Sequence, residues 1–354
     1  MKKSISIIGS VGIPGRYGGF ETLTEQLSLH LSDKFSIHVF CSTFAYLRNE
    51  RSKVFNGVNR IFIPLKANGL SSILYDLWSI CIGLKISATL LILGGGTGMF
   101  FPFIRLLFPN KKIIFHPDGL EWKRENRGLL TKLFLFISIK AGCRFCNHII
   151  VDNYSLVNYY KKYKNKLSII SYGGDHLKLH SKPLNKNSYW LTIARAVSDN
   201  NLELIAKSFT ELKDEKWVLV SNWQQSKYGN KLVKKYSKFS NIIFYKANYN
   251  HEVLSNLLSE CKGYIHGHSS GGSNPALIAA MWANKPLYIH NNIFNNTTTN
   301  NKAVTFGDKE TLIEKIRQYN ISSDYETHEL EKLAQNQYKW NKIMKEYYRL
   351  LNSI

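Results

Sequence analysis

The first group of residues that could do chemistry is a glycine-rich segment that follows a short apolar stretch near the amino terminus. Its candidate ligand-binding residues are Gly12, Gly15, Arg16, Gly18 and Gly19. Glycines let a backbone approach a ligand closely, and a helix that begins here would offer N–H groups to a phosphate. Neither a Walker loop nor a clean GxGxxG pattern is present. A tight turn would need fewer glycines, so we expect a phosphate- or substrate-binding loop.

A carboxylate flanked by basic residues forms the second group. Residues 116–124 read His-Pro-Asp-Gly-Leu-Glu-Trp-Lys-Arg and follow an apolar run. A carboxylate at this point can accept a hydrogen bond from a substrate hydroxyl and orient it. We expect His116 and Asp118 to be catalytic, with Asp118 favoured over Glu121, and we expect Glu121, Lys123 and Arg124 to line the substrate side. The alternative is a helix N-cap followed by a solvated face.

Two polar segments of the second half also follow predicted strands. The first contains Arg195 and Asn200, and the second precedes Pro275 with Gly271, Gly272, Ser273 and Asn274. Small residues and a proline at a helix start leave N–H groups directed at an anion. A simple N-cap would need only one of these residues, so we expect an anion-binding cradle.

The elements that position these groups alternate between strands and helices. The apolar runs Ser4–Gly9, Ala88–Gly94 and Lys112–His116 predict buried strands, and Leu23, Leu27 and Leu31 have helical spacing. Such alternation indicates a parallel sheet covered on both faces. The same rhythm resumes at Tyr189, after a polar stretch, His176–Ser188, that suits a linker. We therefore predict an α/β protein with two Rossmann-like, doubly wound domains that face a ligand-binding cleft.

The expected domain limits are residues 1–175, 176–325 and a C-terminal helix over 326–354 that crosses back to the first domain. Tail residues Leu330 to Tyr347 have an amphipathic pattern. The Asn/Thr-rich run Asn291–Asn301 is interpreted as a solvated loop.

Composition excludes a disordered or fibrous protein, because 44% of the 354 residues are hydrophobic and 20% are charged. The chain has 47 basic and 25 acidic residues, a balance of +22, which predicts an anionic partner. Residues 1–172 hold 23 basic and nine acidic residues. Together with the apolar and basic stretch Phe100–Lys112, this excess predicts a peripheral contact with an anionic membrane. No uncharged run is long enough for a spanning helix.

Five scattered cysteines do not form a disulfide framework, and we expect Cys143 and Cys146 to be buried thiols in a reducing, cytosolic compartment. No targeting segment is evident. No DxD motif stands out, and we expect neither a metal ion nor another cofactor.

In its motifs, the chain resembles the rhamnosyltransferase-type subgroup of glycosyltransferase family 4, whose members are two-domain GT-B enzymes of bacterial surface-polysaccharide assembly. The resemblance rests on five segments in the same order, which begin at Gly12, Asp118, Tyr172, Ala194 and His266. It extends from Ile5 to about Leu351.

The resemblance implies that Arg195 and Asn200, with the cradle 271–274, bind the donor diphosphate, and that the first domain takes the acceptor. It implies transfer of a sugar, rhamnose being one candidate, from a nucleoside diphosphate to a lipid-linked glycan of a capsule or lipopolysaccharide. Retention of configuration is implied by the resemblance alone. The expected site of action is the inner face of the cytoplasmic membrane.

Two positions bear on this expectation. The wider family carries two glutamates that correspond to Gly271 and Ala279 here, and Ala279 departs even from the subgroup. A buried ribose hydroxyl that loses its carboxylate partner weakens donor binding by about 1–3 kcal/mol.

The alternative functions are a GT-B nucleotide-sugar epimerase and a basic nucleic-acid-binding protein. The segment around Asp118 argues against the first. The lack of a zinc finger or RNA-recognition signature argues against the second.

Overall fold

The computed structural model describes residues 2–16, 18–124, 127–179, 189–321 and 327–354. The chain forms two compact units. Unit 1 comprises Met1–Ser171 and Asn341–Ile354, and unit 2 comprises Tyr172–Trp340.

Unit 1 is built on an eight-stranded sheet in the order β3-β4-β2-β1-β5-β6-β7-β8. The strands are β1 (Ser4–Ile8), β2 (Ser36–Ser42), β3 (Val54–Phe55), β4 (Val58–Ile63), β5 (Thr89–Leu93), β6 (Lys112–His116), β7 (His148–Val151) and β8 (Leu167–Ile169). All neighbours run parallel except β3 and β4. The predicted strands of the first half are thus confirmed to within a few residues, whereas β3 and β8 are too short to show a periodic pattern.

Helices alternate with these strands, as the sequence predicts. They are α1 (Gly19–Leu31), α2 (Ser72–Ile86), α3 (Phe101–Leu107), α4 (Leu129–Phe145) and α5 (Val157–Tyr160). The spaced residues Leu23, Leu27 and Leu31 of α1 are buried. Cys143 and Cys146 are buried free thiols, and burial raises the pKa of Cys146 to about 11.

Unit 2 has a second parallel sheet, with six strands in the order β11-β10-β9-β12-β13-β14. The strands are β9 (Tyr189–Ile193), β10 (Lys216–Ser221), β11 (Ile242–Lys246), β12 (Gly263–His266), β13 (Leu287–His290) and β14 (Val304–Phe306). The helices are α6 (Leu202–Glu211), α7 (Lys227–Tyr236), α8 (His251–Glu260), α9 (Pro275–Trp282), α10 (Ile293–Thr298), α11 (Lys309–Ile321) and α12 (Thr327–Gln337). Large aromatic residues fill the core, where Trp190 stacks on Tyr288 at 4.9 Å.

The last helix, α13 (Trp340–Ser353), belongs to unit 1 from Asn341 onward. Lys3 Nζ donates to the carbonyl of Leu351 at 2.8 Å, and the ring of Phe35 lies 5.8 Å from that of Tyr348. These contacts return the carboxyl-terminal segment to the sheet that contains the amino terminus.

The tail contains two helices where the sequence predicts one. The N–H of Trp340 donates to Asp175 Oδ1 at 2.8 Å instead of bonding to a carbonyl one turn earlier. The hydroxyl of Tyr338 donates to the carbonyl of Thr298. A side-chain cap that lies far away in sequence therefore restarts the helix.

The boundary between the two units lies at residues 171 and 172, whereas the sequence predicts it after residue 175. Most of the predicted linker, residues 180–188, lies outside the described part of the chain.

The prediction of a solvated loop over Asn291–Asn301 is wrong, because this run contains α10. The side chain of Asn292 accepts from the N–H groups of Phe294 and Asn295 and caps the helix. Phe294 and Asn295 are buried. The polar composition of this run suggests a loop, but Asn292 is a good N-cap residue and Phe294 packs into the interior, so a short helix forms.

Each sheet has a point where the direction of strand order reverses, between β1 and β5 in unit 1 and between β9 and β12 in unit 2. In parallel α/β sheets, ligands bind beyond the carboxyl ends of the strands at this point. The glycine-rich segment follows β1, and the segments of Arg195 and His266 follow β9 and β12. The topology therefore brings predicted site segments to the expected edge of each unit.

Candidate functional site

In unit 1, the loop after β1 packs tightly against the end of β5. Gly9 has φ +100°, and a Cβ at this position would lie 1.8 Å from the carbonyl oxygen of Leu93. Gly12, Gly15 and Gly18 continue the loop, and Gly19 begins α1. A close approach of backbone to backbone therefore accounts for glycine at position 9.

Two carboxylates of α1 accept hydrogen bonds from this loop. Glu21 Oε1 accepts from the N–H of Val11 at 2.7 Å, and Glu25 Oε2 accepts from that of Gly15 at 3.1 Å. These donors are therefore already engaged, and the carboxylates add negative charge beside them. The arrangement favours a neutral hydroxylic ligand over a phosphate at this loop.

Arg16 is held by an acidic partner. Its guanidinium bonds to both carboxylate oxygens of Glu50, donates to the carbonyl of Ala45 at 3.1 Å, and lies 5.0 Å from the ring centre of Tyr46. The bonds from Arg16 lower the pKa of Glu50 to about 2. Arg16 therefore fastens the glycine loop to the segment after β2. Its neighbour Tyr17 lies outside the described residues.

His116 ends β6, and burial lowers its pKa to about 4, so the ring is neutral at pH 7. Its Nδ1 accepts the backbone N–H of Asp118 at 3.3 Å, which assigns the ring proton to Nε2. The ring of Phe20, from the start of α1, meets His116 edge-on at 5.2 Å. The segments after β1 and β6 thus come together, as the topology predicts.

Asp118 has a left-handed backbone, with φ +68°, which is uncommon for residues other than glycine. Its side chain is half-buried. Such backbone conformations occur often where a side chain must point to a ligand. Burial, above all, and negative charge that includes the Asp118 carboxylate raise the pKa of the Tyr160 phenol.

The remaining predicted residues of this segment bind one another or aromatic neighbours. Glu121 is paired with Arg124 at 2.5 Å and with Arg127 at 3.0 Å. Lys123 Nζ lies 4.6 Å from the ring centre of Tyr159. Two guanidinium groups therefore pair with Glu121 and engage this carboxylate within the segment.

Sequence reasoning missed Asp76 on α2. Tyr75 donates its hydroxyl to the carbonyl of Ser10, and Ile73 lies 3.7 Å from the position of a Cβ at Gly96. Asp76 is therefore on the part of α2 that meets the loops after β1 and β5. Burial raises its pKa to about 8, so the carboxyl is protonated at pH 7 and can donate a hydrogen bond. A lone carboxyl group in an otherwise apolar run of helix is the signal that could have revealed it.

In unit 2, one side chain joins the loops after β9 and β12. Asn200 donates to the carbonyl of Arg195 at 2.8 Å, and its Oδ1 lies 2.8 Å from His268 Nδ1. The loops approach so closely that a Cβ at Gly267 would lie 2.2 Å from the carbonyl oxygen of Asn200. The half-buried Arg195 is thus brought beside the segment that leads to α9.

The predicted cradle has the geometry of a helix start. Asn274 caps α9 by accepting the N–H of Ala276 at 2.9 Å, and Pro275 is the first helical residue. Gly271 has φ +106°, and a Cβ there would lie 3.3 Å from His268 Nε2. Gly272 and Ser273 complete the turn. Ala279 is a buried residue of α9, 6% exposed.

Two asparagines within residues 291–301, the run wrongly predicted to be a solvated loop, contact this site. Asn292 and Asn295 both donate to the carbonyl oxygens of His268 and His290. They bridge the loops after β12 and β13. Burial lowers the pKa of His266 to about 3, so this ring is neutral. The pattern of an asparagine cap before an apolar residue could have indicated α10.

The described residues contain no group of three or more His, Cys, Asp or Glu side chains arranged to hold a metal ion. None of their helices is long and apolar enough to cross a bilayer.

Residues 2–175 match the family model described as "Domain of unknown function (DUF1972)". No curated protein matches the chain in sequence. The fold is similar to that of a sucrose-phosphate synthase from Thermosynechococcus elongatus, with a TM-score of 0.83, 14% identity and coverage of 99% of both chains. HepE of Anabaena in complex with UDP-glucose gives a TM-score of 0.74 at 12% identity, over 99% of this chain and 100% of that one.

A third similar structure is the catalytic domain of starch synthase IV from Arabidopsis thaliana, bound to ADP and acarbose. Its TM-score is 0.68 at 11% identity, and the match covers 99% of both chains. These similarities extend over both units. The chain therefore has the two-domain GT-B fold of glycosyltransferases, and the predicted fold class is confirmed.

Proposed function

We propose that the protein transfers a sugar from a nucleoside diphosphate donor to a glycan acceptor, with the donor bound by unit 2 and the acceptor by unit 1. The observation that carries this proposal is the bond between Asn200 and His268, which joins the loop of Arg195 to the loop leading into α9. Two of the structures that share this fold have UDP-glucose or ADP bound, which supports a nucleotide donor.

The donor diphosphate would be held by Arg195 and by backbone N–H groups between Gly271 and Asn274. Guanidinium groups and helix N-termini both bind phosphate oxygens. When the bond from the sugar to the diphosphate breaks, negative charge develops on the leaving phosphate, and these donors stabilise it. We infer that this pair of groups neutralises the leaving group without a metal ion. The methyl group of Ala279 cannot bond to a ribose hydroxyl, so the ribose would rely on other donors.

The acceptor would bind at the strand-end loops of unit 1. Asp118 would accept a hydrogen bond from the attacking hydroxyl, and His116 would position Asp118 through its backbone N–H. The carboxylates of Glu21 and Glu25 on the glycine loop favour a neutral, hydroxyl-rich ligand here. Protonated Asp76 would offer a hydrogen-bond donor to the same ligand.

Front-face attack, in which the departing phosphate helps to deprotonate the acceptor hydroxyl, would retain the configuration of the sugar. The motif resemblance to the rhamnosyltransferase-type subgroup of glycosyltransferase family 4 supports rhamnose as a candidate sugar. It also supports a lipid-linked precursor of a capsule or lipopolysaccharide as the acceptor. The protein would then act on the inner face of the cytoplasmic membrane, attached to anionic lipid.

Radiolabelled nucleotide sugars incubated with the protein and bacterial membranes test this proposal. Radioactivity in the lipid fraction supports transfer, whereas an epimerised free nucleotide sugar would instead indicate an epimerase. Absence of both products with every donor, combined with tight binding to nucleic acid, would contradict an enzymatic role.

A panel of UDP, ADP, GDP and dTDP in thermal unfolding identifies the nucleotide. The correct ligand at a hundredfold its dissociation constant should raise the free energy of unfolding by about 2.7 kcal/mol.

A further inference from the structure

Helices α3 and α4 of unit 1 expose large apolar side chains along most of their outer surface. We call this surface the α3–α4 face. Its most exposed members are two leucines at the start of α4, each 84% exposed. The α3–α4 face comprises Phe103, Leu106, Leu107, Leu129, Leu130, Leu133, Phe136 and Ile137.

The pattern on α4 is the reverse of an ordinary surface helix. Its inner side has small residues, and Ser138 donates its hydroxyl to the carbonyl of Gly95. Its outer side carries Leu129, Leu133 and Phe136 at helical spacing. A surface helix of a water-soluble protein normally carries charged residues on that side. Contiguous exposed apolar patches of this kind mark interaction sites.

Cations accompany the apolar side chains. Lys140 and Arg144 continue the outer stripe of α4, and both are exposed. Lys140 Nζ lies 4.1 Å from the ring centre of Phe136. The sequence from 101 to 168 holds 13 basic and four acidic residues, a balance of +9. The acidic residue Glu121, which lies near α4, is neutralised by two arginines.

The sequence analysis assigned membrane contact to the stretch Phe100–Lys112, and the structure shows which of its residues are exposed. Phe101 is a core residue, 0% exposed. Lys111 donates to the carbonyl of Ser87, and Arg105 donates to the carbonyl of Lys111. Two of the three cations of that stretch, Arg105 and Lys111, are therefore bonded to the backbone. Helix α4 adds exposed basic side chains and further exposed apolar side chains to those of α3.

We propose that the α3–α4 face is the surface by which the protein lies on an anionic lipid bilayer. Apolar side chains that enter the headgroup region, flanked by lysine and arginine, give reversible binding to anionic membranes. A second copy of the chain is a poorer occupant, because pairing identical faces would bring like charges together. The charge on this face complements acidic lipid headgroups.

The location of this face also indicates which acceptor the protein uses. This part of the inference rests on the proposed function. The ring of Trp122 lies 6.2 Å from that of Phe136, so the face continues into the segment of Asp118. A bilayer bound here would present a lipid-linked acceptor beside the proposed acceptor residues. The apolar face would thus determine the class of acceptor, namely one anchored in the membrane.

Co-sedimentation of the full chain with vesicles tests the inference. Vesicles contain equal parts of phosphatidylglycerol and phosphatidylcholine, or phosphatidylcholine alone. We expect binding to the anionic vesicles that weakens as salt increases. The double variant Leu129→Ser/Leu130→Ser should reduce the partition coefficient by about tenfold or more, because two apolar side chains are lost. Lys140→Gln should reduce it by about fivefold.

The matched control is Phe44→Ser/Leu47→Ser, which removes two exposed apolar side chains, 65% and 69% exposed, after β2 in the same unit. It should bind vesicles as the unchanged protein does. Melting temperatures of both double variants verify that the fold is intact.

Equal partition of the two double variants, or no preference of the unchanged protein for anionic vesicles, would overturn the inference. Light scattering that reveals a dimer broken only by Leu129→Ser/Leu130→Ser, without vesicle binding, would assign the face to self-association instead. Vesicle binding does not depend on sugar transfer. If the protein binds vesicles but transfers no sugar, the proposed function is contradicted, whereas the inference that the α3–α4 face binds anionic lipid is retained.

Discussion

The strand-end loops of the two units have similar topology but opposite electrostatic character. In unit 1, the loop after β1 is bonded by the carboxylates of Glu21 and Glu25, and the segment of Asp118 contacts the start of α1 through the rings of His116 and Phe20. In unit 2, amide side chains join the corresponding loops, and Arg195 stands beside the start of α9. One sheet architecture can thus serve a neutral hydroxylic ligand at one edge and an anion at the other. If the proposed function holds, the residues in the loops, and not the fold, determine the charge of the ligand.

The largest effect should come from Asp118→Asn. Asparagine tolerates the left-handed backbone of this position, so the fold should persist while the charge is lost. We expect sugar transfer to fall by about 10²–10⁴-fold, because the attacking hydroxyl loses the carboxylate that accepts its hydrogen bond while the departing phosphate takes up its proton. Thermal stabilisation by nucleotide should be unchanged. Loss of nucleotide binding with an unchanged acceptor KM would show that the roles of the units are reversed.

Arg195→Gln should act on the other edge. Removal of one donor that stabilises a developing oxyanion costs about 10²–10³-fold in turnover, and stabilisation by nucleotide should also decline. The control is Arg317→Gln, which changes an exposed arginine of α11 in the same unit. If both variants retained full activity, the donor assignment would have to be abandoned.

Asn295→Ala tests whether the asparagine side chains that connect the loops after β12 and β13 stabilise the candidate site of unit 2. The substitution removes two buried hydrogen bonds, to the carbonyl groups of His268 and His290, which keep their bonds from Asn292. At about 0.5–1.5 kcal/mol for each bond, we expect a loss of about 1–3 kcal/mol in the free energy of unfolding. Nucleotide binding should weaken together with stability. Asn296→Ala, next along α10, breaks only an exposed bond to Asn291 and should cost much less. Equal losses in chemical denaturation would exclude a special role for Asn295.

Asp76→Asn should have the smallest effect on sugar transfer, because asparagine can still donate a hydrogen bond, and its effect on stability should depend on pH. The pKa of Asp76 is raised to about 8 in the folded chain, far above the ordinary value of 3.8. Between these values the unfolded chain loses the proton and the folded chain keeps it, so the unchanged protein loses stability as pH rises from about 4 to 8.

The Asn variant removes this penalty, so its melting temperature should exceed that of the unchanged protein by a few degrees near pH 8 and converge with it in acid. Asp214→Asn, at an exposed carboxylate of unit 2, is the control. A temperature difference independent of pH would show that the carboxyl is not protonated in the fold.

Local sequence patterns predicted most elements well. The strand Lys112–His116 has the predicted bounds, and the helix α9 begins at Pro275 as predicted. An apolar run before a polar loop, or a proline at a helix start, is a local signal. The helix over Ile293–Thr298 and the break before Trp340 were missed. Both depend on partners outside the local pattern, namely the buried surroundings of Phe294 and the carboxylate of Asp175.

The sequence alone determined the alternation of strands and helices, and with it the edge of each parallel sheet where the candidate residues had to lie. Side-chain periodicity is a property of neighbouring residues, so it can be read directly. Only the tertiary structure decided which loops meet. Asn200 and His268 are 68 residues apart, and Arg16 and Glu50 are 34 apart. Strand order and burial create these pairs. Burial likewise raises the pKa of Asp76, and the way α4 packs leaves its leucines exposed.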